Sequence, residues 1–297
     1  MPWYDIQGNS LSEVFNISGV PVTNTFSVTD TDIETEKQEL VIMSFNVYGW
    51  AGLNDKQELI ADIFEAYSPD IVGFQEYYAD RHSGNGIGGV LPSVFLGRYW
   101  EHLAEGIDAL NGSNEPYVGN TKAVASRFEL KDPTDTVFTS RRSQTRSYQK
   151  MYVEVGGKRI AVFNTHLEWY QTNPAVASNK QYGQAAELFA AVSKENYFIL
   201  IGDLNTKCMD VSHDDYTYIM KPFVDAGYNC ANCSPKSGFI PTCTDGNGKD
   251  NEPWYPTDNI ITSANISIDR VVLDEQKMAY ETNFLDHLPL VAYITVT

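Results

Sequence analysis

Tyr197-Phe198-Ile199-Leu200-Ile201-Gly202-Asp203-Leu204-Asn205 is the stretch on which the fold turns. Its first five residues are apolar or aromatic and read as a buried strand. The strand stops at a glycine, then delivers an aspartate and an asparagine from its tip. The same pattern recurs along the chain: Leu40 to Phe45 runs into Asn46, Ile71 to Gln75 into Glu76, and Val162 to Thr165 into His166. Nearer the C-terminus the order inverts. Asp258 comes before Asn259-Ile260-Ile261, and Asp286-His287 comes directly before the closing apolar run Leu288 to Val296.

Working outward, further strands are expected at Lys122 to Phe128, Gln149 to Val155, Arg159 to Asn164, Ile260 to Ile268 and Arg270 to Leu273. Helices are expected over Asp55 to Tyr67 and Pro174 to Ser193. In the second, Ala177, Tyr182, Ala185, Leu188, Phe189 and Val192 make one apolar face. The glycine-rich Gly84 to Gly89 reads as a flexible loop, because no strand feeds it as a phosphate-binding loop would require. Asn229 to Pro256, rich in Gly, Asn, Asp, Pro and Cys, reads as a long irregular loop, which in a compact domain is usually functional or pinned. Strands outnumber the helices between them. That pattern favours two packed sheets with helices outside over a doubly wound parallel sheet.

The first 35 residues repeat: Tyr4-Asp5-Ile6, Phe15-Asn16-Ile17 and Phe26-Ser27-Val28 recur every 11 residues. Residues 1–36 are therefore expected to form a β-rich N-terminal extension, with 37–297 as the main domain. The extension packs on the main domain or, on a sharper reading, docks the chain to a larger assembly.

With 297 residues and 42% hydrophobic content the chain can bury a large core. Its formal charge of −18 disfavours diffuse Lys/Arg attraction to nucleic acid or anionic membrane, so a phosphate-bearing substrate must be held locally, by a cation or a few arginines. No run approaches the roughly 20 apolar residues of a membrane helix, and the N-terminus lacks a basic region followed by an apolar run. A soluble protein of open compartment is expected. The cysteines, Cys208, Cys230, Cys233 and Cys243, are compatible with an extracellular setting. Cys230 and Cys233 form a C-x-x-C that reads as a disulfide, half a zinc site or a redox pair.

An isolated Asp or Asn at a strand end is most often a turn former, and a lone His is most often structural. The set carries more. If the strand tips converge, four carboxylates, two amides and two imidazoles share one pocket, and the carboxylates cannot all stay ionised without a hard cation such as Mg²⁺.

Ser44-Phe45-Asn46-Val47, Gly73-Phe74-Gln75-Glu76, Asn164-Thr165-His166-Leu167, Gly202-Asp203-Leu204-Asn205 and Leu285-Asp286-His287-Leu288-Pro289 resemble, in order, the motifs of the endonuclease/exonuclease/phosphatase superfamily, of which pancreatic deoxyribonuclease is a member. The likeness spans 39–297 and includes Ala125-Ser126-Arg127-Phe128. It implies an α/β (α+β) four-layer sandwich, two central, mostly antiparallel β-sheets flanked by helices, with the site at one edge. It also implies Glu76 as principal metal ligand with Asn46 and Asp286 beside it, and Mg²⁺, Mn²⁺ or Ca²⁺ as the ion. Asp203 would orient or deprotonate the attacking water, and Asn205 would hold a phosphate oxygen. His166 would bind phosphate and support the leaving oxygen, while Asp258 would orient His287. Arg146, near Arg141 and Arg142, corresponds to a family arginine that reaches the phosphate or to a solvated basic loop. The segment Pro256-Thr257-Asp258-Asn259 departs from the family pattern just before the Asp. The spacing of Cys208 after Asp203 matches a deoxyribonuclease disulfide cysteine, which implies Cys208 paired with Cys243 and Cys230 with Cys233.

The expectation is therefore a metal-dependent phosphodiesterase of the endonuclease kind acting on DNA. Its competitors are a phospholipid, sphingomyelin or inositol-phosphate phosphoesterase, for which Trp254-Tyr255 would be a membrane-facing candidate, and a non-catalytic subunit that kept the fold.

Overall fold

The computed structural model describes residues 37–47, 57–77, 99–103, 122–140, 146–169, 174–243, 255–273 and 286–297. The 11-residue repeats, the glycine-rich segment 84–89, Arg141, Arg142 and Trp254 lie outside the described residues.

The first half of the chain supplies β1 (Gln38–Asn46), α1 (Gln57–Tyr67), β2 (Ile71–Gln75), β3 (Trp100–Leu103), β4 (Ala123–Ser126), β5 (Lys131–Val137) and β6 (Ser147–Val155). The second half supplies β7 (Lys158–His166), α2 (Pro174–Val192), β8 (Phe198–Asp203) and α3 (Lys221–Asp225), which a π-helical turn, Tyr216–Met220, precedes. It closes with β9 (Asn229–Cys230), β10 (Asp258–Thr262), β11 (Ile266–Leu273) and β12 (Leu290–Val296).

These strands form two six-stranded sheets, in the orders β11-β12-β1-β2-β4-β3 and β5-β6-β7-β8-β10-β9. Pairing is antiparallel except at β1/β2 and β7/β8. A parallel pair needs a crossover, and each has a helix in it: α1 lies between β1 and β2 in the chain, α2 between β7 and β8. The expected four-layer α/β sandwich is the architecture found.

Strand alternation assigns each side chain to a layer. Leu40 and Ile42 of β1, Ile71 of β2, Val162 of β7, Ile199 and Ile201 of β8, Ile260 of β10 and Leu290 of β12 fill the core between the sheets. The alternate residues Met43, Phe45, Val72 and Phe74 pack outward against Ile60, Ile63 and Phe64 of α1. On the opposite flank Ala161, Phe163, Phe198 and Leu200 meet Ala185, Leu188 and Val192 of α2 and Ile219, Met220 and Phe223.

The sheets approach closely at Gly73. A Cβ there would lie 2.6 Å from Ile201 Cγ2 and 2.9 Å from Asn164 Oδ1, so only glycine fits. A buried polar layer sits beside it. Gln75 Nε2 donates to Asn164 Oδ1 at 2.8 Å, and Asn164 Nδ2 faces the Phe74 and Ala123 carbonyls and Gln149 Oε1 at 2.9–3.0 Å. Such a layer fixes the register of one sheet on the other, because slippage would strand several desolvated amides at once.

Three sequence expectations change. The strand expected over Ile260 to Ile268 is two strands, broken where Ile266 N donates to Ser263 O at 3.0 Å to close a turn. The strand expected to reach Phe128 ends at Ser126, whose hydroxyl accepts the Phe128 N–H at 2.9 Å. The segment expected as loop from Asn229 begins with the short strand β9 and is stitched further on by pairings of Cys243 with Tyr255 and His287.

Candidate active site

Alternation alone brings the polar strand tips together. Asn46 shares the parity of Leu40 and Ile42; His166 that of Val162, Asp203 that of Ile199 and Ile201, Asp258 that of Ile260. All four therefore point between the sheets, and register puts them at one end: His166 lies opposite Asp203 in the β7/β8 pairing, and Asp258 opposite Asp203 in β8/β10.

Asp203 is the hub. Asn46 Nδ2 donates to its Oδ2 at 3.0 Å, linking the sheets, and the Asn205 backbone N–H donates to Oδ1 at 2.8 Å. His166 Nε2 and His287 Nε2 lie 3.4 and 3.6 Å from Oδ2. On the far side of its ring, His287 Nδ1 is 2.8 Å from Asp258 Oδ2. That oxygen also receives the hydroxyls of Thr242 at 2.7 Å and Thr257 at 2.9 Å. Asp203, Asp258 and His287 are all buried.

These surroundings set the titration. Burial pushes Asp203 up to about 7, with Asp258 adding to the rise while His287, the Asn205 N–H and Asn46 oppose it. Burial works against a charged His287, yet Cys243, Asp258, Asp203 and Asp286 together hold its pKa well above 6.5. His166 goes the other way. Burial, then Arg146, Lys122 and His287, hold it well below 6.5, so its ring is neutral.

Glu76 breaks the parity rule, since by alternation it would face α1. Its φ of 53° lies in the left-handed region, which turns the chain at the strand end and re-aims the side chain. Its carboxyl accepts a hydrogen bond from Asn46, and burial and then Asp286 raise its pKa, against His287, Arg146 and that bond. Glu76 Oε2 is buried with no hydrogen-bond partner among the described residues. An orphaned carboxylate oxygen beside a second acid is a donor set that a hard oxygen-seeking cation fits. Asp203, Asp258 and His287 also offer ligand atoms within 4.8 Å of one another. Both ring nitrogens of that His already face carboxylates, at 2.8 Å from Asp258 Oδ2 and 3.6 Å from Asp203 Oδ2, so the Glu76 side fits a cation better.

Asn205, with a φ of 53°, donates Nδ2 to Leu167 O at 2.9 Å, which leaves one amide hydrogen uncommitted to that bond. Arg146 is buried, next to β6, and its charge reaches both His166 and Glu76. It is not a solvated loop residue. The cysteine pairing that the resemblance implied is not found: none of the four is in a disulfide, Cys208 neighbours Cys233, and Cys243 touches His287 instead. The backbone pairing of Cys243 with Tyr255 and His287 draws it into the site, away from Cys208.

Sequence reading missed Thr242, Thr257, Lys122 and Gln181. Lys122 is buried and donates to Ser147 Oγ at 2.8 Å, and Gln181 of α2 holds the Leu204 and Asn205 carbonyls at 2.8 and 2.9 Å. Thr257 abuts Asp258 in sequence and could have been found by that adjacency; the others carry no local signal.

The two-sheet sandwich with acids, amides and imidazoles gathered at one end is the arrangement of a phosphoesterase hydrolase. The chain belongs to the endonuclease/exonuclease/phosphatase family, whose model matches residues 43–282. Members are phosphoesterase hydrolases and generally use divalent metals. Among solved structures, an endonuclease/exonuclease/phosphatase from Bacteroides vulgatus is 15% identical with a TM-score of 0.65, covering 88% of this chain and 100% of its own. D. rerio TDP2, complexed with a single-strand DNA product, is 18% identical with a TM-score of 0.63, covering 86% and 99%. A mannosyl-6-phosphatase of Bacteroides thetaiotaomicron is 16% identical with a TM-score of 0.60, covering 86% and 99%. At these identities the likeness is one of fold. No curated protein matches the chain.

Proposed function

We propose that the chain is a divalent-metal-dependent phosphodiesterase that hydrolyses DNA by direct attack of water, without a covalent intermediate. The observation that carries this reading is the buried run Asp258–His287–Asp203, at 2.8 and 3.6 Å, lying beside the orphaned Glu76 oxygen.

Glu76, Asn46 and Asp286 would hold the ion, and bound Mg²⁺ would polarise a phosphate oxygen and offset charge developing there. Asp203, with a pKa near 7, orients the attacking water and accepts its proton; Asn46 and the Asn205 N–H fix the plane of the carboxylate. His287, kept in its charged form by the acids around it, presents a donor to a phosphoryl oxygen, and Asp258 keeps its ring from turning. His166 and Asn205 contact phosphate as neutral donors that cost no desolvated charge, with His166 supporting the leaving oxygen. Arg146, with Lys122 nearby, supplies local positive charge in an acidic chain.

DNA as substrate is supported by this buried arginine and by the fold likeness to a protein crystallised with a DNA product. The separation of Cys208 from Cys243 removes one deoxyribonuclease-like feature. A second reading, a small sugar-phosphate esterase, is favoured by the charge of −18, which repels polyanions beyond the site. Plasmid DNA, a mannose 6-phosphate series, sphingomyelin and inositol phosphates, each assayed with Mg²⁺ and with chelator, separate these. DNA cleavage abolished by chelator supports the first reading; hydrolysis confined to sugar phosphates replaces it with the second.

A further inference from the structure

Thr242 belongs to the segment Asn229 to Pro256, which no role in catalysis has so far claimed. Its side chain is fully buried; its hydroxyl lies 3.2 Å from that of Thr257 and meets Asp258 at two points. The Thr242 hydroxyl donates to Asp258 Oδ2 at 2.7 Å and accepts the Asp258 backbone N–H at 3.0 Å. Thr257 donates to the same Oδ2 at 2.9 Å, and His287 Nδ1 is the third group on it at 2.8 Å. Asp258 Oδ1 has no hydrogen-bond partner among the described residues. One oxygen thus takes every donor and the other none. Rotating the carboxylate would cost all of these bonds together, so its plane is set.

The backbone around Thr242 does the same on a larger scale. Thr242 and Cys243 N–H groups donate to Tyr255 O at 2.8 and 3.0 Å, and Tyr255 N returns a bond to Cys243 O at 3.2 Å. On the other edge Leu288 N donates to Thr242 O at 2.8 Å. The short segment therefore lies as a strap between the chain entering Asp258 and the chain leaving His287, and it fixes how far apart those two side chains start.

We propose that Thr242 is a positioning residue of the site: a clamp that holds the Asp258 carboxylate and, through it, the orientation of the His287 ring. This rests on the reading of His287 as part of the catalytic machinery. Serine preserves both bonds of the clamp; valine, of nearly the same shape, removes both.

The test is a kinetic cycle on the full chain with Mg²⁺ and whichever phosphate ester the substrate panel identifies. Thr242→Val is expected to lower kcat about ten- to a hundredfold with KM within about twofold, and Thr242→Ser to recover kcat to within about threefold of the parent. In a His287→Ala background, Thr242→Val should cost less than about twofold more, because a clamp acting through His287 has nothing left to orient. A purely structural role would give additive losses and would overturn the proposal. So would near-parental kcat in Thr242→Val when His287→Ala is crippled. If His287→Ala itself leaves hydrolysis unchanged, the proposed function fails and this inference with it. Should Thr242→Val not fold, Thr242→Ala in the same cycle gives the same discrimination.

Discussion

Asn46, the last residue of β1 in one sheet, donates its side-chain amide to Asp203 Oδ2, the last residue of β8 in the other, across 3.0 Å. The bond ties the tips of the two sheets where the acids and imidazoles gather, and the same amide side chain also holds Glu76. Asn46→Ala should lower kcat by about a hundredfold, the scale of losing one preorganised donor, and should raise the Mg²⁺ concentration for half-maximal activity. Steady-state kinetics across a Mg²⁺ series would read both effects.

Gly73 meets Ile201 where the sheets close. Because an added Cβ would sit 2.6 Å from Ile201 Cγ2 and 2.9 Å from Asn164 Oδ1, Gly73→Ala should destabilise the fold by about 1–3 kcal/mol through overpacking. Chemical denaturation would show a lower midpoint with an unchanged slope. An alanine variant as stable as the parent would mean that the sheets are farther apart than described.

The metal-free protein should lose stability as pH rises from 6.5 to about 8. Asp203, raised from 3.8 to about 7, binds more protons folded than unfolded, so its contribution falls through that interval. His287, raised well above 6.5, contributes stability below 6.5 that is lost as pH climbs through its folded value. His166, held well below 6.5, acts oppositely but only beneath 6.5, where the unfolded chain takes up its proton. Above 6.5 the two falling contributions act without it. Thermal melts in chelator should slope downward across that range, and Asp203→Asn should flatten the slope.

The layer order and most of the site were readable because strand alternation carries them. Once Ile199 and Ile201 are assigned to the core, Asp203 must face it too, and the same parity delivers Asn46, His166 and Asp258. Glu76 was readable as a strand-end acid and its metal role only by resemblance, while parity alone would aim it at α1, because its position depends on a left-handed backbone that no local pattern announces. The edge strand β5, Lys-Asp-Pro-Thr-Asp-Thr-Val, went unseen: an edge needs no apolar alternation and tolerates proline. Thr242 and Gln181 went unseen because their partners are remote in sequence, and hydroxyls and amides make no periodic mark. The cysteine pairing failed for a related reason. Spacing after Asp203 fixes where Cys208 starts but not which loop folds over it, and that loop brings Cys233.

The most direct test of the account is Mg²⁺-dependent stability and activity measured together in the parent protein and in Glu76→Gln. The parent should hydrolyse a phosphate ester only with a divalent cation, and its thermal midpoint should rise with Mg²⁺, because an ion that binds only the folded chain stabilises it by mass action. Glu76→Gln should need at least about tenfold more Mg²⁺ for both effects. Equal Mg²⁺ dependence in the two proteins, or full activity in chelator, would contradict the account.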